Sequence, residues 1–374
     1  MTNCDCGAAL ALPDGGPDDA GPIGALLDGL PDNWGRWGPD DERGTLNLLG
    51  SAEMAAGLRA ALANGDGAIE RYTLGLPITG EPIPPEDRPT TATGDPAFPG
   101  RGPVRRENVC DAAAYRDGEF EPQAGMKFVD DRFVTPLYPH GISHMDALGH
   151  AWYGETLYNG FDAATTAERK RFEQPVETLD GAVVETRGLG ALSISPAAEC
   201  GVAGRAVLLD VGRAIGDRDR LSPEYEIGLD ELQRTATEQG LSVQKCDVLL
   251  VRTGSLSRTR DPDAEWSPTD EPGLVFSEAL VEWVHELDVA AIGADNVAVE
   301  RVVQWIDGER YVLPLHGAFL RNLGLPLVEM LWLEELADAC DAAGEYVCLL
   351  TAAPLHVERA SGGPINPVVL APTG

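Results

Sequence analysis

In the second half of this 374-residue chain, short apolar runs alternate with amphipathic stretches. The runs "AVLLDVG" (206–212), "DVLLVRTG" (247–254), "VAAIGAD" (289–295) and "YVCLLTA" (346–352) are continuous rather than alternating. That pattern belongs to strands covered on both faces. The segments "GLDELQRTATEQG" (228–240), "SEALVEWVHELD" (277–288) and "LWLEELADACDAAG" (331–344) repeat apolar residues at helical spacing. Covered strands interleaved with helices predict an α/β domain whose central sheet is flanked by helices.

The first half is less regular. "SAEMAAGLRAALANG" (51–65) predicts a helix with Ser51 as N-cap and Gly65 as its stop, and "IERYTLGLPI" (69–78) reads as a strand. Residues 80–103 carry seven prolines, which exclude a ladder or a helix, so the segment is either a lid over a pocket or a surface excursion. Residues 1–30 have no clear period and read as a loose tail, leaving one domain over 31–374. No internal repeat is visible.

Composition narrows the function. The formal net charge is −33, and Lys127, Lys170 and Lys245 are the only lysines. Such a surface repels phosphate backbones and anionic membranes, which argues against nucleic-acid and membrane partners. Acidic excess with scarce lysine also suits a halophilic protein, whose carboxylates stay hydrated while salt screens their repulsion. The seven cysteines are odd in number and lack C-x-x-C pairs, which disfavours disulfides and thiolate zinc sites. The start lacks the positive charge of a signal peptide and no apolar run would span a bilayer, so a cytoplasmic location is expected.

Histidine is scarce and clustered. Three of the six histidines fall in "PHGISHMDALGH" (139–150) as His140, His144 and His150, with Asp146 among them. Imidazoles and a carboxylate are ligand types that suit Zn²⁺, Mn²⁺ or Fe²⁺. On a strand, His144 and Asp146 point to one face about 6.6 Å apart, close enough to share an ion. Extended backbone would put His140 about 13 Å from His144, so the chain must bend between them, and Gly141 offers the place. His150 can stay outside the ligand set and carry protons, since a free imidazole titrates in the right range. The alternative is a set of unrelated core or surface histidines.

Elsewhere, His285 sits in a helical run and reads as structural, while His356 lies near a Gly/Pro turn. His316 and Glu329 both sit in apolar surroundings. A buried ionised glutamate needs a partner, although Glu329 could instead lie on the exposed side of a helix start. Trp152, Tyr153 and Tyr158 follow the histidine cluster and are candidates to line an aromatic substrate pocket; core packing is the competing use.

"HGISHMDALGH" resembles the H-x-G-T-H-x-D-x-P-x-H signature of the metal-dependent cyclase/hydrolase family that includes bacterial kynurenine formamidase and isatin hydrolase. Ile142, Ser143 and Leu148 stand where the signature has Gly, Thr and Pro. "NWGRWGPDDERGTLNLL", "ALGHAWYGETLYNG", "DVLLVRTG", "PGL" (272–274), "AAIGADN" and "GGPINPV" are similar to segments of the family's longer members, in the same order. The resemblance covers about residues 31–370 and favours the isatin-hydrolase side. It implies a swivelling β/β/α fold with a central mixed sheet, and homo-oligomers.

It further implies His140, His144 and Asp146 as ligands of one or two Mn or Zn ions and His150 as the acid/base. His316 and Glu329 are similar to the later pair of a binuclear site, at an interval one residue longer than in the formamidases. The implied reaction is hydrolysis of a small-molecule amide, cyclic or N-acyl, by metal-activated water. Lactone or ester hydrolysis at the same site, or metal binding without catalysis, are the rival expectations.

Overall fold

A computed structural model gives the fold and describes residues 20–62, 68–78, 104, 106–134, 137–178, 180–216, 219–261, 263–264 and 266–372. The segment 80–103, Gly65, Cys4 and Cys6 lie outside the described residues. Nine strands form the central sheet: β1 (Ile69–Thr73), β2 (His144–Asp146), β3 (Val202–Asp210), β4 (Val248–Arg252), β5 (Ala291–Ala294), β6 (Leu327–Glu329), β7 (Val347–Ala352), β8 (Gly362–Pro364) and β9 (Val368–Pro372). Their order is β1-β9-β7-β3-β4-β5-β6-β2-β8. The stretch β3-β4-β5-β6 is parallel, and every other pairing is antiparallel.

The four apolar runs became β3, β4, β5 and β7, as their continuity predicts. Alternate residues of β3 feed opposite faces: Val207 and Leu209 join one buried cluster, Ala206 and Leu208 the other. Leu249 and Val251 of β4 likewise face away from Val248 and Leu250. Helices α3 (Leu229–Glu238) and α4 (Glu278–Glu286) cover the first face, through Leu232, Leu280, Val281 and Val284. Helix α5 (Glu334–Ala343) covers the second through Leu336, Ala337 and Cys340, and stops at Gly344 in the left-handed region. The sheet is flanked by helices as the pattern predicts, and mixed as the resemblance implies.

Two local expectations shift. Helix α2 (Ser51–Ala61) is capped by Gly50 rather than Ser51, because the Glu53 carboxylate accepts the Gly50 N–H at 2.9 Å. The end of the stretch read as a loose tail is folded: helix α1 (Gly21–Leu26) leads to Leu27, which is buried in the first core cluster. Its Gly- and Ala-rich composition hid the apolar contacts of Leu27 and of Ile23, Leu26 and Leu30, which pack against the same cluster. Among the described residues no helix is long and apolar enough to cross a membrane.

Candidate metal centre

The candidate site occupies the end of the sheet where β6, β2 and β8 meet. On β2, His144 and Asp146 share a face and Met145 points the other way, into the second core cluster. Register sets Glu329 of β6 directly opposite His144, so two residues far apart in sequence present their side chains side by side. His144 Nε2 lies 3.1 Å from Glu329 Oε2 and 3.4 Å from Asp146 Oδ1.

The bend before β2 is a single 3-10 turn, Pro139–Gly141, with His140 itself off helical geometry at φ −83° and ψ 17°. It brings His140 Nε2 to 3.3 Å from Asp146 Oδ1. Gly141 is buried and is not in the left-handed region, so the turn does not draw on glycine's backbone freedom. Gly362 of β8 contributes by what it lacks, since a Cβ there would fall 2.6 Å from His140 Nε2. His150 stacks on His140 with ring centroids 4.0 Å apart and stands 6.3 Å from the His316 ring.

His316 arrives from the turn Pro314–His316, which runs into the π-helical stretch Gly317–Leu323 before β6 begins. Its Nε2 lies 3.4 Å from Glu329 Oε1 and 3.7 Å from Asp146 Oδ2. The wider i→i+5 turn uses more residues than an α-helix and spans the long interval between His316 and Glu329. Glu329 is therefore a buried strand residue, not the exposed start of a helix.

All six residues singled out for chemistry thus converge. The three aromatic candidates sit in different surroundings. Tyr158 is fully buried in the first core cluster and donates its hydroxyl to Asp41 at 3.0 Å, so its ring is used for packing. Tyr153 stacks on the Arg321 guanidinium at 3.9 Å and bonds Asn322 at 2.9 Å, while Trp152 remains 43% exposed. His285 lies in α4 and His356 is exposed.

The substitutions within the signature have local uses. Ile142 is buried and its carbonyl accepts from His144 Nδ1 at 2.7 Å, which puts a proton on Nδ1 and turns Nε2 towards the carboxylates. Ser143 keeps a hydroxyl where the signature has threonine; it donates to Met330 O at 2.6 Å and accepts the Leu76 N–H at 2.8 Å. Leu148 fills the first core cluster.

The donor set fits a divalent cation. His144 Nε2, both oxygens of Asp146 and Glu329 Oε1 are buried without a hydrogen-bond partner. Orphaned polar atoms are costly in an interior, and here several converge on one point. Two groups, His140–Asp146–His150 and His144–Asp146–Glu329, each keep their ligand atoms within 4.8 Å of one another. Mixed imidazole and carboxylate donors at that spacing suit Zn²⁺, Mn²⁺ or Fe²⁺.

The local field also favours positive charge. Burial works against an imidazolium at His144, yet Asp146 and Glu329 outweigh it and push that group up to about 10. His316 is raised well above its usual range, with burial again opposed, here by Glu300 and Glu329. His150 goes the other way: burial pushes it down to about 4, leaving a neutral imidazole at neutral pH.

A sequence model of the family described as "Putative cyclase" matches residues 89–301. The chain belongs to the cyclase family. A crystal structure described as a novel cyclase is 30% identical, with coverage of 91% of this chain and 97% of that one and a TM-score of 0.70. An isatin hydrolase bound to the product analogue thioisatinate is 18% identical, covering 87% of this chain and 100% of that one at a TM-score of 0.50, which is a likeness of fold. No curated protein sequence matches the chain. This cyclase-family domain also contains a residue that spacing alone did not bring forward: Glu300, whose Oε1 lies 2.8 Å from His316 Nδ1. The only sequence signal was an acid in an apolar stretch, "GADNVAVERVV" (293–303), directly after a buried strand.

Proposed function

We propose that this cyclase-family protein is a metal-dependent hydrolase that cleaves an amide-type C–N bond, in a cyclic amide of the isatin kind or an N-formyl or N-acyl arylamine. The observation that carries the reading is the convergence of His140, His144, Asp146, His316 and Glu329 on orphaned buried atoms, with neutral His150 beside them. In this reading His140, His144 and Asp146 hold one Mn or Zn ion, and His316 and Glu329 complete its surroundings or hold a second. When bound, a divalent cation lowers the pKa of water towards about 7 and polarises a carbonyl.

The chain's own residues do the rest. His150, neutral and stacked against His140, accepts a proton from the attacking water as its oxygen bonds to the carbonyl carbon. It then delivers that proton to the nitrogen as the C–N bond breaks, releasing an amine and a carboxylic acid, which loses its remaining proton to solvent. The fold shared with isatin hydrolase supports a cyclic amide among the candidates.

The test is a panel of matched lactam, lactone and N-formyl arylamine substrates, assayed with the protein stripped of metal and reloaded with Mn²⁺ or Zn²⁺. Turnover of the lactam or the formamide only after reloading is expected, and His150→Ala should lower kcat by about 10²- to 10⁴-fold while keeping the metal. Turnover confined to the lactone would replace the amide reading with ester chemistry. Bound metal without turnover on any member, or full activity of the His150 variant, would overturn the mechanism.

A further inference from the structure

We propose that Glu300 is a positioning residue for the metal centre, fixing His316 in the single tautomer and orientation that turns its Nε2 towards Asp146 and Glu329. The inference rests on the reading of the cluster as a metal site. Glu300 is buried and its two oxygens accept four hydrogen bonds. Oε1 takes both the ring Nδ1 of His316 at 2.8 Å and its backbone N–H at 2.7 Å. Oε2 takes the Leu315 N–H at 2.9 Å and Gln304 Nε2 at 2.7 Å.

A carboxylate surrounded by donors can only accept, so Nδ1 carries a proton and Nε2 is the ring nitrogen that would be presented to a cation. One oxygen therefore grips His316 by main chain and ring together, removing the rotation that would swing Nε2 away from the carboxylates. Such outer carboxylates also make a ligating imidazole a stronger donor.

The chain invests unusual backbone in placing this group. Val299, just before it, has φ +58°, a region that β-branched residues avoid. The Glu300 N–H returns to the Ala298 carbonyl across it, closing a three-residue γ-turn. The turn is held from outside: Val299 O accepts from Leu274 N at 3.1 Å and from Asn296 Nδ2 at 3.2 Å. Gly273 is needed for that approach, because a Cβ there would lie 2.6 Å from the Glu300 carbonyl carbon. Gln304 is itself oriented, since its Oε1 accepts the Phe276 N–H at 2.7 Å. Strained backbone that persists because its surroundings over-determine it is characteristic of functional positions.

The experiment uses the full chain and Zn²⁺. Affinity is measured by chelator competition for the wild type, Glu300→Gln, Glu300→Asp, His316→Ala and Asp146→Ala, and the His316 tautomer is read by ¹⁵N-histidine NMR of the Zn²⁺-loaded wild type. Glu300→Gln is expected to weaken Zn²⁺ binding about 10- to 100-fold, with Glu300→Asp between it and the wild type. The wild type is expected to show His316 protonated at Nδ1.

Wild-type affinity in Glu300→Gln, or a proton at Nε2 of His316, would overturn the assignment. Should Glu300→Gln fail to fold, the tautomer decides alone. Zn²⁺ binding that survives Asp146→Ala unchanged would instead overturn the metal-centre reading, and the role of Glu300 with it.

Discussion

The middle of the sheet and its β6-β2-β8 end are built on opposite terms. Strands β3, β4 and β5 run parallel, are mostly apolar and are covered on both faces, so burial does most to specify them, and their charged residues Asp210 and Arg252 pair with each other at 2.6 Å. At the other end, β2, β6 and β8 are three residues long each and carry His144, Asp146 and Glu329 in a water-poor setting. Removing a side chain from the middle costs packing. Removing one from the end exposes its partners' unpaired charge and, on the proposed function, removes a metal ligand. A single chain thus devotes one region to stability and another to a site that is costly to assemble.

The sharpest way to break this contrast is a pair of substitutions. Asp146→Ala should abolish metal binding and reduce turnover to background, whereas Leu250→Ala in β4 should cost about 2–5 kcal/mol of stability and leave kcat per folded molecule unchanged. Metal analysis, activity and denaturant melts of both variants check it. Equal losses of activity would show that the two regions are not separable.

Metal removal should have the next largest effect on stability. An ion bound only by the native state adds about 4 kcal/mol when present at a thousand times its dissociation constant. Chelation should therefore lower the wild-type Tm and leave that of Asp146→Ala unchanged. A wild-type Tm indifferent to chelator would mean that the orphaned donors are satisfied without a cation.

A smaller effect concerns the acids beyond the C-terminal ends of the parallel strands. Burial pushes Glu271 from 4.5 up to about 8 and Asp295 from 3.8 up to about 6. Folded values raised above the unfolded ones mean that stability from the neutral forms is complete below the unfolded values and is lost as pH rises through about 6 and then about 8. In high salt, which screens the surface charge, Tm should fall across that window. A flat profile would show that their hydrogen bonds from Thr253, Gly254, Ser255, Trp266 and Val297 hold both groups ionised.

The smallest expected effect is that of bulk salt. At a net charge of −33, added KCl should raise Tm progressively by screening repulsion among surface carboxylates. A Tm that falls steadily from dilute buffer would remove the halophilic expectation.

The legible and illegible parts divide along the same line as the two regions. β3, β4, β5 and β7 and helices α3, α4 and α5 could be read because long apolar runs and helical periods reflect burial that each segment carries in its own composition. His144 and Asp146 could be placed on one face because their separation matches the strand period. β6 and β8 could not be read, since three residues show no period, and α1 was hidden in a Gly- and Ala-rich stretch. Tyr158 followed the histidine motif closely enough to suggest a pocket wall, yet the fold uses its ring as core.

The sequence by itself determined strands β3, β4, β5 and β7, helices α2 to α5 and a candidate ligand trio, because each depends on spacing within about a dozen residues. Only the tertiary structure decided that Glu329 faces His144 across a strand pair, that Gly362 leaves room for His140, and that Glu300 meets His316. Those relations are set by strand order and register, which arise when distant segments compete for the same edge of the sheet, and no local pattern records the outcome.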